Sequence, residues 1–224
     1  HLQPIIDAFP SVTFMINDSN QGGGYSRNRG IKEASGTYIN FLDDDDILYP
    51  EKIEKQVALF ETSKVPNLGM ITCHALDERS GEPHTRHNQF RGNIYKELLA
   101  NFAISGIETM LYKKEYLLEV GGFDEGLQSS QEYDLLIRYS ENHSVDFVDE
   151  VLTREFESTN QISTNFDKKI QGARRLFKKH NKRYKEQGFF FWMRMRLKLG
   201  FLLLRFYAGK LLGEKAYRML LLRK

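Results

Sequence analysis

Residues 38–50 read YINFLDDDDILYP, an apolar run that ends abruptly in four consecutive aspartates. Apart from one asparagine, the first five residues are aromatic, β-branched or aliphatic, which is typical of a buried strand. Pro50 and Glu51 then favour the start of a helix, because proline is tolerated in the first turn and negative charge is stabilised there. The carboxylates are therefore expected at the carboxyl end of a strand, the edge at which open α/β sheets bind ligands.

The four aspartates, Asp43 to Asp46, repel one another, and this repulsion is costly unless a cation is shared among them. A hard divalent ion that keeps open positions for phosphate oxygens is the expected partner. The alternative is a solvated helix cap, because aspartate also satisfies free backbone N–H groups at a helix start. One or two aspartates suffice for a cap, so the run of four favours a cation site.

The charge of the chain is divided unevenly along its 224 residues, although the net charge is only +2. Residues 167–224 hold 18 lysines and arginines against 3 acidic residues, and residues 1–166 hold 14 against 27. We therefore expect an acidic domain over residues 1–165 and a basic helical extension over residues 166–224 that suits an anionic partner. Cys73 is the only cysteine, so no disulfide within the chain is expected and a reducing compartment is favoured.

Three further segments carry candidate site residues. Residues 20–30 read NQGGGYSRNRG, in which the glycine run is either a phosphate-binding loop or a plain turn before a helix. Residues 121–127 read GGFDEGL, whose two glycines are expected to end a helix. Residues 131–138 read QEYDLLIR, where Glu132 and Asp134 fall in the first turn of a helix and could also serve its dipole.

These segments, taken with ASGTYINFLDDDD at residues 34–46, resemble the family 2 glycosyltransferases in their order and separation. The resemblance covers about residues 11–165. It implies the GT-A fold, an α/β arrangement in which helices flank a mixed, Rossmann-like sheet. It also implies transfer of a sugar from a nucleotide-diphosphate sugar with inversion at the anomeric carbon, assisted by Mn²⁺ or Mg²⁺. UDP is the most frequent donor nucleotide in the family.

The resemblance also assigns roles within the aspartate run. Asp43 and Asp45 fall on the Asp-X-Asp motif of the family, whose first member contacts the ribose and whose last member holds the metal on the diphosphate. Asp46 is a candidate additional metal ligand, as is Asp43. Asp44 is placed with the donor-binding residues.

Outside the aspartate run, the resemblance implies donor-binding roles for Arg27 and Asn28, beneath the nucleotide, and for Asp124 and Glu125, in the sugar pocket. Glu132 falls on the position of the general base, with Asp134 as the second choice. A bound cation stabilises the departing diphosphate, and a carboxylate on the opposite side takes the proton of the attacking hydroxyl.

The sequence departs from the family pattern in three places. The usual Glu-Asp pair is replaced by Gln131 and Glu132, and residues 153–156, TREF, lack the expected histidine. The first strand and helix, which clasp the nucleobase, are missing, because only a short strand predicted over residues 11–17 precedes the arginine-asparagine pair. We therefore expect a truncated domain whose exposed sheet edge recruits another chain, for example in a homodimer.

The basic extension interleaves aromatics and leucines with arginines and lysines over residues 186–224. It contains no uninterrupted apolar stretch of the ~20 residues that a spanning helix needs. This composition favours a helix that lies on an anionic membrane surface. The alternative is a pair of helices that packs on the catalytic body or on a second subunit. Nucleic acid is disfavoured as a partner, because no nucleic-acid-binding motif accompanies the basic residues.

The sequence thus predicts an inverting glycosyltransferase that transfers a sugar, with UDP as the expected carrier, to a glycan or lipid-linked acceptor in cell-surface polysaccharide synthesis. We expect it to be peripheral on the cytoplasmic face of the plasma membrane. The alternative is a non-catalytic, degenerate transferase module that scaffolds membrane partners through its basic extension. A nucleotidyltransferase of similar fold is disfavoured, because no basic signature loop is present near the start.

Overall fold

A computed structural model describes residues 3–79, 82–101, 103–104, 106–156 and 165–213 of the chain. The helices in these ranges are α1 (Gln3–Ala8), α2 (Gly23–Glu33), α3 (Lys52–Thr62), α4 (Tyr95–Ala100), α5 (Lys114–Glu119), α6 (Gln131–Ser140), α7 (Phe166–Glu186) and α8 (Phe189–Leu212). The strands are β1 (Tyr38–Asn40), β2 (Ile47–Leu48), β3 (Leu68–Asp77), β4 (His84–Arg86), β5 (Leu111–Lys113) and β6 (Ser144–Glu155). A short 3-10 helix, Ile107–Thr109, precedes β5.

The strands form one mixed sheet in the order β1-β5-β3-β6-β2, and β4 pairs with the end of β3. β3 is parallel to β6 and antiparallel to β4 and β5, whereas β1 and β2 are antiparallel to β5 and β6. Nearly every residue of β3 is buried, which explains why its sequence is apolar without a polar alternation. The sheet and its flanking helices agree with the predicted α/β class.

Helix α6 packs on β3, the central strand of the sheet, through its apolar face. Leu135, Leu136 and Tyr139 are buried, as their spacing predicts. The hydroxyl of Tyr139 donates to the carbonyl of Gly69 in β3 at 2.6 Å. A Cβ at Gly69 would lie 2.8 Å from that hydroxyl, so the close approach requires glycine. This contact anchors the carboxyl-terminal end of α6 on β3, and Glu132 lies at the other end of the same helix.

The strand predicted over residues 11–17 does not form, and the segment is irregular and largely exposed. Val12, Phe14 and Ile16 keep 61%, 46% and 73% of their surface exposed. An isolated extended segment gains no ladder hydrogen bonds, and β1 pairs only with β5 in the described part of the chain. The segment is held instead by Arg29, whose guanidinium donates to the carbonyl of Ile16 at 2.7 Å.

Helices α7 and α8 form an antiparallel hairpin that packs on the rest of the molecule. Near the free ends of the two helices, Lys210 Nζ donates to Asp167 at 2.6 Å. Closer to the turn, Tyr184 and Met195 enter the main apolar core. The basic extension predicted from the sequence is therefore helical over its described part, and residues 214–224 lie outside that part.

The helical spacing of Ile53, Val57 and Phe60 in the sequence predicts that they form the buried face of α3, but the helix does not bury this face. Ile53 is 40% exposed, and Val57 and Phe60 are only half-buried. The two fully buried side chains of the helix are instead those of Lys52 and Gln56. The predicted inward position of Ile53 is wrong, because polar contacts rather than apolar burial decide how α3 docks.

These polar contacts run from α3 to the sheet and to the turn before β5. Gln56 Nε2 donates to the carbonyls of Ile71 at 3.0 Å and Thr109 at 2.8 Å, and Gln56 Oε1 accepts from Lys52 Nζ at 2.7 Å. Burial lowers the pKa of Lys52 to about 8, although the nearby Cys73 favours its charged form.

We predict that Lys52 makes stability depend on pH. The lysine pKa is about 8 in the folded chain and 10.5 ordinarily, so the unfolded chain binds more protons between these values and the free energy of unfolding rises with pH. The rise is on the order of 3 kcal/mol over that window. Lys52→Met should remove it, whereas Lys64→Met, at an exposed position, should not. Urea denaturation across this pH range tests this, and equal pH slopes for wild type and Lys52→Met would contradict it.

Candidate active site

The aspartate run forms a turn between β1 and β2. The N–H of Asp46 donates to the carbonyl of Asp43 at 3.2 Å and closes the turn. Asp43, Asp45 and Asp46 are partly buried, and Asp44 is exposed. The carboxylates therefore lie just beyond the end of β1, where the sequence places them.

The pKa of Asp46 reflects both its burial and the neighbouring carboxylates of the turn. Burial raises the pKa of Asp46 to about 6, and the charges of Asp45 and Asp43 contribute to the rise. The N–H of Phe156 opposes it by donating to Asp46 Oδ1 at 3.2 Å. Repulsion of this kind is what a bound cation would relieve.

The donor set of the turn suits a divalent ion, because carboxylate oxygens are hard ligands and Mg²⁺ is usually held by one or two carboxylates together with substrate phosphates. Within the ranges that the structure describes, no group of three or more histidine, cysteine, aspartate or glutamate side chains is arranged to hold a metal ion. Asp43, Asp45 and Asp46 each bring one carboxylate to the turn, so a cation held there would need further oxygen ligands, such as those of a phosphate.

Arg27 and Asn28, adjacent residues of α2, join the aspartate turn to the GGFDE loop, residues 121–125. Arg27 Nη2 donates to Asp43 Oδ1 at 2.7 Å, and its guanidinium lies 5.6 Å from the ring centre of Phe123. Asn28 Nδ2 donates to the carbonyl of Phe123 at 2.9 Å and to Glu125 Oε1 at 2.8 Å, and Asn28 Oδ1 accepts from the N–H of Phe123 at 2.7 Å. The structure therefore connects four of the predicted donor-site residues, namely Arg27, Asn28, Asp43 and Glu125.

Glycines allow this group to pack closely. A Cβ at Gly122 would lie 2.4 Å from Asn28 Oδ1, and the φ of +64° at Gly122 also favours glycine. A Cβ at Gly24 would lie 3.1 Å from Gln131 Nε2, so the start of α2 fits tightly against the start of α6. Gly24, at the start of α2, thus has a packing role against Gln131, the neighbour of the candidate base Glu132.

Glu132 is half-buried in the first turn of α6. Burial raises its pKa above the ordinary value, and the charge of Asp43 adds to this, whereas Arg27, Arg79 and Arg86 oppose it. These charged groups therefore lie near enough to Glu132 to affect its acidity. A carboxylate with a raised pKa is a better proton acceptor near neutral pH than an ordinary glutamate.

Asp134, the second-choice base, lies in a different environment. Its side chain is fully buried and accepts hydrogen bonds from Arg138 Nη2 at 2.7 Å, Lys179 Nζ at 2.9 Å and His180 Nε2 at 2.9 Å. Burial alone would raise the pKa of Asp134, but these donors hold it well below its usual range. Asp134 therefore stays ionised and is poorly suited to accept a proton.

A buried ion cluster beside the cleft was not predicted from the sequence. Asp77 accepts from Arg79 Nε and from Arg86 Nη1, each at 3.0 Å, and Arg86 Nη1 also donates to Glu155 at 2.8 Å. Burial raises the pKa of Glu108 to about 7, with a contribution from the charge of Asp46 in the turn.

Asp77, Arg79 and Arg86 lie close together in the sequence, whereas Glu108 and Glu155 are distant, and the five members of the ion cluster form no motif. Asp77 is the last residue of β3 and Glu155 is the last residue of β6, and the two are paired in the sheet near the aspartate turn. A carboxylate at the end of a strand is the only signal of the ion cluster that the sequence contains.

Comparisons with known proteins identify similar sequences and folds. The sequence model described as "Glycosyl transferase family 2" matches residues 1–121. An uncharacterised glycosyltransferase of Haemophilus influenzae is 37% identical over 135 residues, which cover 58% of this chain and 45% of that protein. One of Methanocaldococcus jannaschii is 29% identical over 150 residues, which cover 64% of this chain and 50% of that protein. The chain spans about half the length of these relatives.

Two solved structures show the same fold. Residues 1–349 of TarS from S. aureus align with a TM-score of 0.56 and 14% identity, over 78% of this chain and 50% of that chain. The mannosyltransferase PcManGT from Pyrobaculum calidifontis, in complex with GDP-Man and Mn²⁺, aligns with a TM-score of 0.55 and 15% identity. This alignment covers 98% of this chain and 64% of that chain. The predicted GT-A fold is confirmed. Because the family's sequence model matches more than half of its residues, the chain belongs to glycosyltransferase family 2.

Proposed function

We propose that the chain carries the donor-binding and catalytic residues of an inverting glycosyltransferase that uses a nucleotide-diphosphate sugar and a divalent metal. The observation that carries this proposal is the connection of the aspartate turn to the GGFDE loop by Arg27 and Asn28. The pKa of Glu132 is influenced by the charges of Arg27 and Asp43, which supports a position for Glu132 near this group. The aspartate turn as the proposed metal site, the GGFDE loop as the proposed sugar site and Glu132 as the proposed base would thus lie together, as the reaction requires.

Asp45 is the proposed main metal ligand, with Asp43 and Asp46 beside it and Asp44 nearby on the donor side. Bound Mn²⁺ or Mg²⁺ would stabilise the negative charge of the departing diphosphate. TarS has been solved with UDP, and PcManGT with GDP-Man and Mn²⁺, which supports a donor of this class. UDP is our choice of nucleotide.

Glu132 is the proposed general base. It takes the proton of the acceptor hydroxyl while that oxygen bonds to the anomeric carbon and the bond to the diphosphate breaks. A single displacement of this kind inverts the configuration of the sugar. Burial favours proton uptake by Glu132, and the nearby Arg27 and Arg86 stabilise negative charge in the cleft.

The acceptor is proposed to be a glycan or lipid-linked precursor at the cytoplasmic membrane face, because α8 has an exposed apolar side. One side of α8 buries Met195 and Phe206. The opposite side exposes large apolar residues, each with more than 60% of its surface accessible: Phe190, Leu197, Phe201, Leu204 and Leu211. At 100° per residue these five lie within one sector of the helix. No helix within the described residues is long and apolar enough to cross a membrane.

The charges of α8 suit an anionic lipid surface. The helix contains no acidic residue. By the same angular spacing, Arg194 and Arg205 border the exposed apolar side on one edge, and Arg196 lies beyond its other edge. Lys210 lies on the side that faces α7, where it donates to Asp167. Apolar residues inserted between two basic edges are the pattern of a helix that lies in the membrane interface. A second copy of the chain is the alternative occupant of this surface.

We predict that nucleotide binding requires the metal and Asp45. In calorimetric titrations of UDP, GDP and CDP, one nucleotide should bind in the presence of Mn²⁺, and Asp45→Asn should weaken it at least about tenfold by removing a charged ligand. Glu54→Gln, an exposed carboxylate in α3, is the matched control. Equal binding by Asp45→Asn would refute the metal assignment, and no binding of any nucleotide would favour the scaffold function.

Glu132→Gln should abolish transfer while leaving nucleotide binding intact, because the amide keeps the shape of the side chain but cannot take the proton. The expected loss of kcat is on the order of 10²–10⁴-fold. Glu115→Gln, at an exposed position of α5, should retain wild-type rates. The assignment is wrong if Glu132→Gln transfers sugar normally and Asp134→Asn does not.

Vesicle sedimentation tests the membrane surface. The chain should bind phosphatidylglycerol vesicles more tightly than phosphatidylcholine vesicles, and added salt should weaken the binding. Phe201→Glu combined with Leu204→Glu should reduce it more than about tenfold, because two inserted apolar side chains become charged. Leu118→Glu, an exposed site on α5, is the control. Binding that is indifferent to lipid charge and to the α8 variant would contradict the proposal.

A further inference from the structure

One lysine of α7 links the GGFDE loop to the helix that carries the candidate base. Lys179 Nζ donates to Asp124 Oδ2 at 2.8 Å and to the Asp134 carboxylate at 2.9 Å. We infer that Lys179 is a positioning residue of the donor-sugar pocket, so that α7 is part of this site rather than an appendage to it. The inference rests on the proposed function and goes beyond it, because no residue of the basic extension has a role in the transfer proposed above.

The Asp134 end of this link is strongly held. Asp134 is fully buried and also accepts from Arg138 and His180, so loss of Lys179 would leave two of its partners in place. Burial lowers the pKa of His180 below its ordinary value, although Asp134 opposes this, and the imidazole is therefore neutral near pH 7. Helix α6, and with it Glu132, stays anchored without the lysine.

The Asp124 end depends on Lys179 far more. Burial would raise the pKa of Asp124, but the hydrogen bond and charge of Lys179 bring it below the ordinary value. The next cation, Arg175, is 4.0 Å away and 57% exposed, so its ion pair is weak. Asp124 Oδ1 also accepts from the N–H of Gly126 at 2.9 Å, but that bond lies within the loop region itself. Without Lys179, the described bonds of Asp124 would therefore hold it to α7 only through the weak pair with Arg175.

Close backbone packing fixes the distance between α7 and the segment that joins the GGFDE loop to α6. Ser129 Oγ donates to the carbonyl of Lys168 in α7 at 3.0 Å. A Cβ at Gly172 would lie 1.9 Å from Ser129 Oγ and 3.1 Å from the Ser129 carbonyl oxygen, so a larger residue would displace at least the Ser129 hydroxyl. Lys179 is thus held where it can reach both carboxylates.

The GGFDE loop is therefore clamped from two sides, by Asn28 of α2 and by Lys179 of α7. A cleft of about 230 Å³ lies between the loop and α7, lined by residues 120–124, Arg138 and Lys179. The nucleotide is proposed to bind near Arg27 and Asp45. Loss of the bond between Lys179 and Asp124 should therefore weaken binding of the donor sugar and leave binding of the nucleotide unchanged.

Lys179→Met, which keeps the length of the side chain and removes its charge, tests this inference. The probes are UDP and GDP, each compared by calorimetry in Mn²⁺ with its sugar derivatives UDP-glucose, UDP-N-acetylglucosamine and GDP-mannose. For the best-bound pair, Lys179→Met should reduce the ratio of sugar-nucleotide to nucleotide affinity about tenfold, the effect of one lost charged hydrogen bond. Lys179→Arg should restore part of the ratio. Lys178→Met, at the exposed neighbouring position, should keep it.

Thermal denaturation of the same proteins separates positioning from stability. A ratio that is equal in wild type and Lys179→Met overturns the inference, whatever the change in melting temperature. If Lys179→Met does not fold, the ratio in Lys179→Arg decides, because its bulkier head cannot reproduce both bonds and an unchanged ratio again overturns the inference. Failure of wild type to bind any nucleotide refutes the proposed function, and the inference with it.

Discussion

Three aspartates crowd one turn at the end of β1, and much of the surrounding structure compensates for their repulsion. Arg27 pairs with Asp43, and the N–H of Phe156 supports Asp46. The pKa of Asp46 is still raised to about 6, mainly by burial, and the charges of Asp45 and Asp43 add to the rise. Burial is also the main cause of the raised pKa values of Glu108 and Glu132, to which Asp46 and Asp43 respectively contribute. The aspartates of the turn thus influence the acidity of both the proposed metal site and the proposed base.

Local signals in the sequence predict the elements that carry the site. The apolar residues before the aspartate run predict β1, and the spacing of Leu135, Leu136 and Tyr139 predicts the buried face of α6. These predictions succeed because each depends on residues that are neighbours in one element. The order of the motifs along the chain identifies the family for the same reason, since order is visible without a structure.

The predictions that fail depend on contacts between distant residues. The segment before α2 has the composition of a strand, but a strand also needs a partner, and none of the described elements pairs with it. Helix α3 docks through Lys52 and Gln56 because carbonyls from β3 and from the turn before β5 converge on it. Lys179 lies 55 residues from Asp124, so nothing in the local sequence marks it as different from Lys178. Periodicity carries no information about such pairings.

The hairpin of α7 and α8 has a geometric consequence for the acceptor. Lys179 of α7 donates to the carboxylates of Asp124 and Asp134, and α8 packs along α7 with its apolar side outward. On the lipid surface proposed for α8, the hairpin would therefore act as a spacer of fixed height between the bilayer and the cleft. An acceptor anchored in that bilayer could reach Glu132 only if its own linker matched this height. The enzyme would then select acceptors by the length of the segment between lipid and hydroxyl, in addition to their chemical identity.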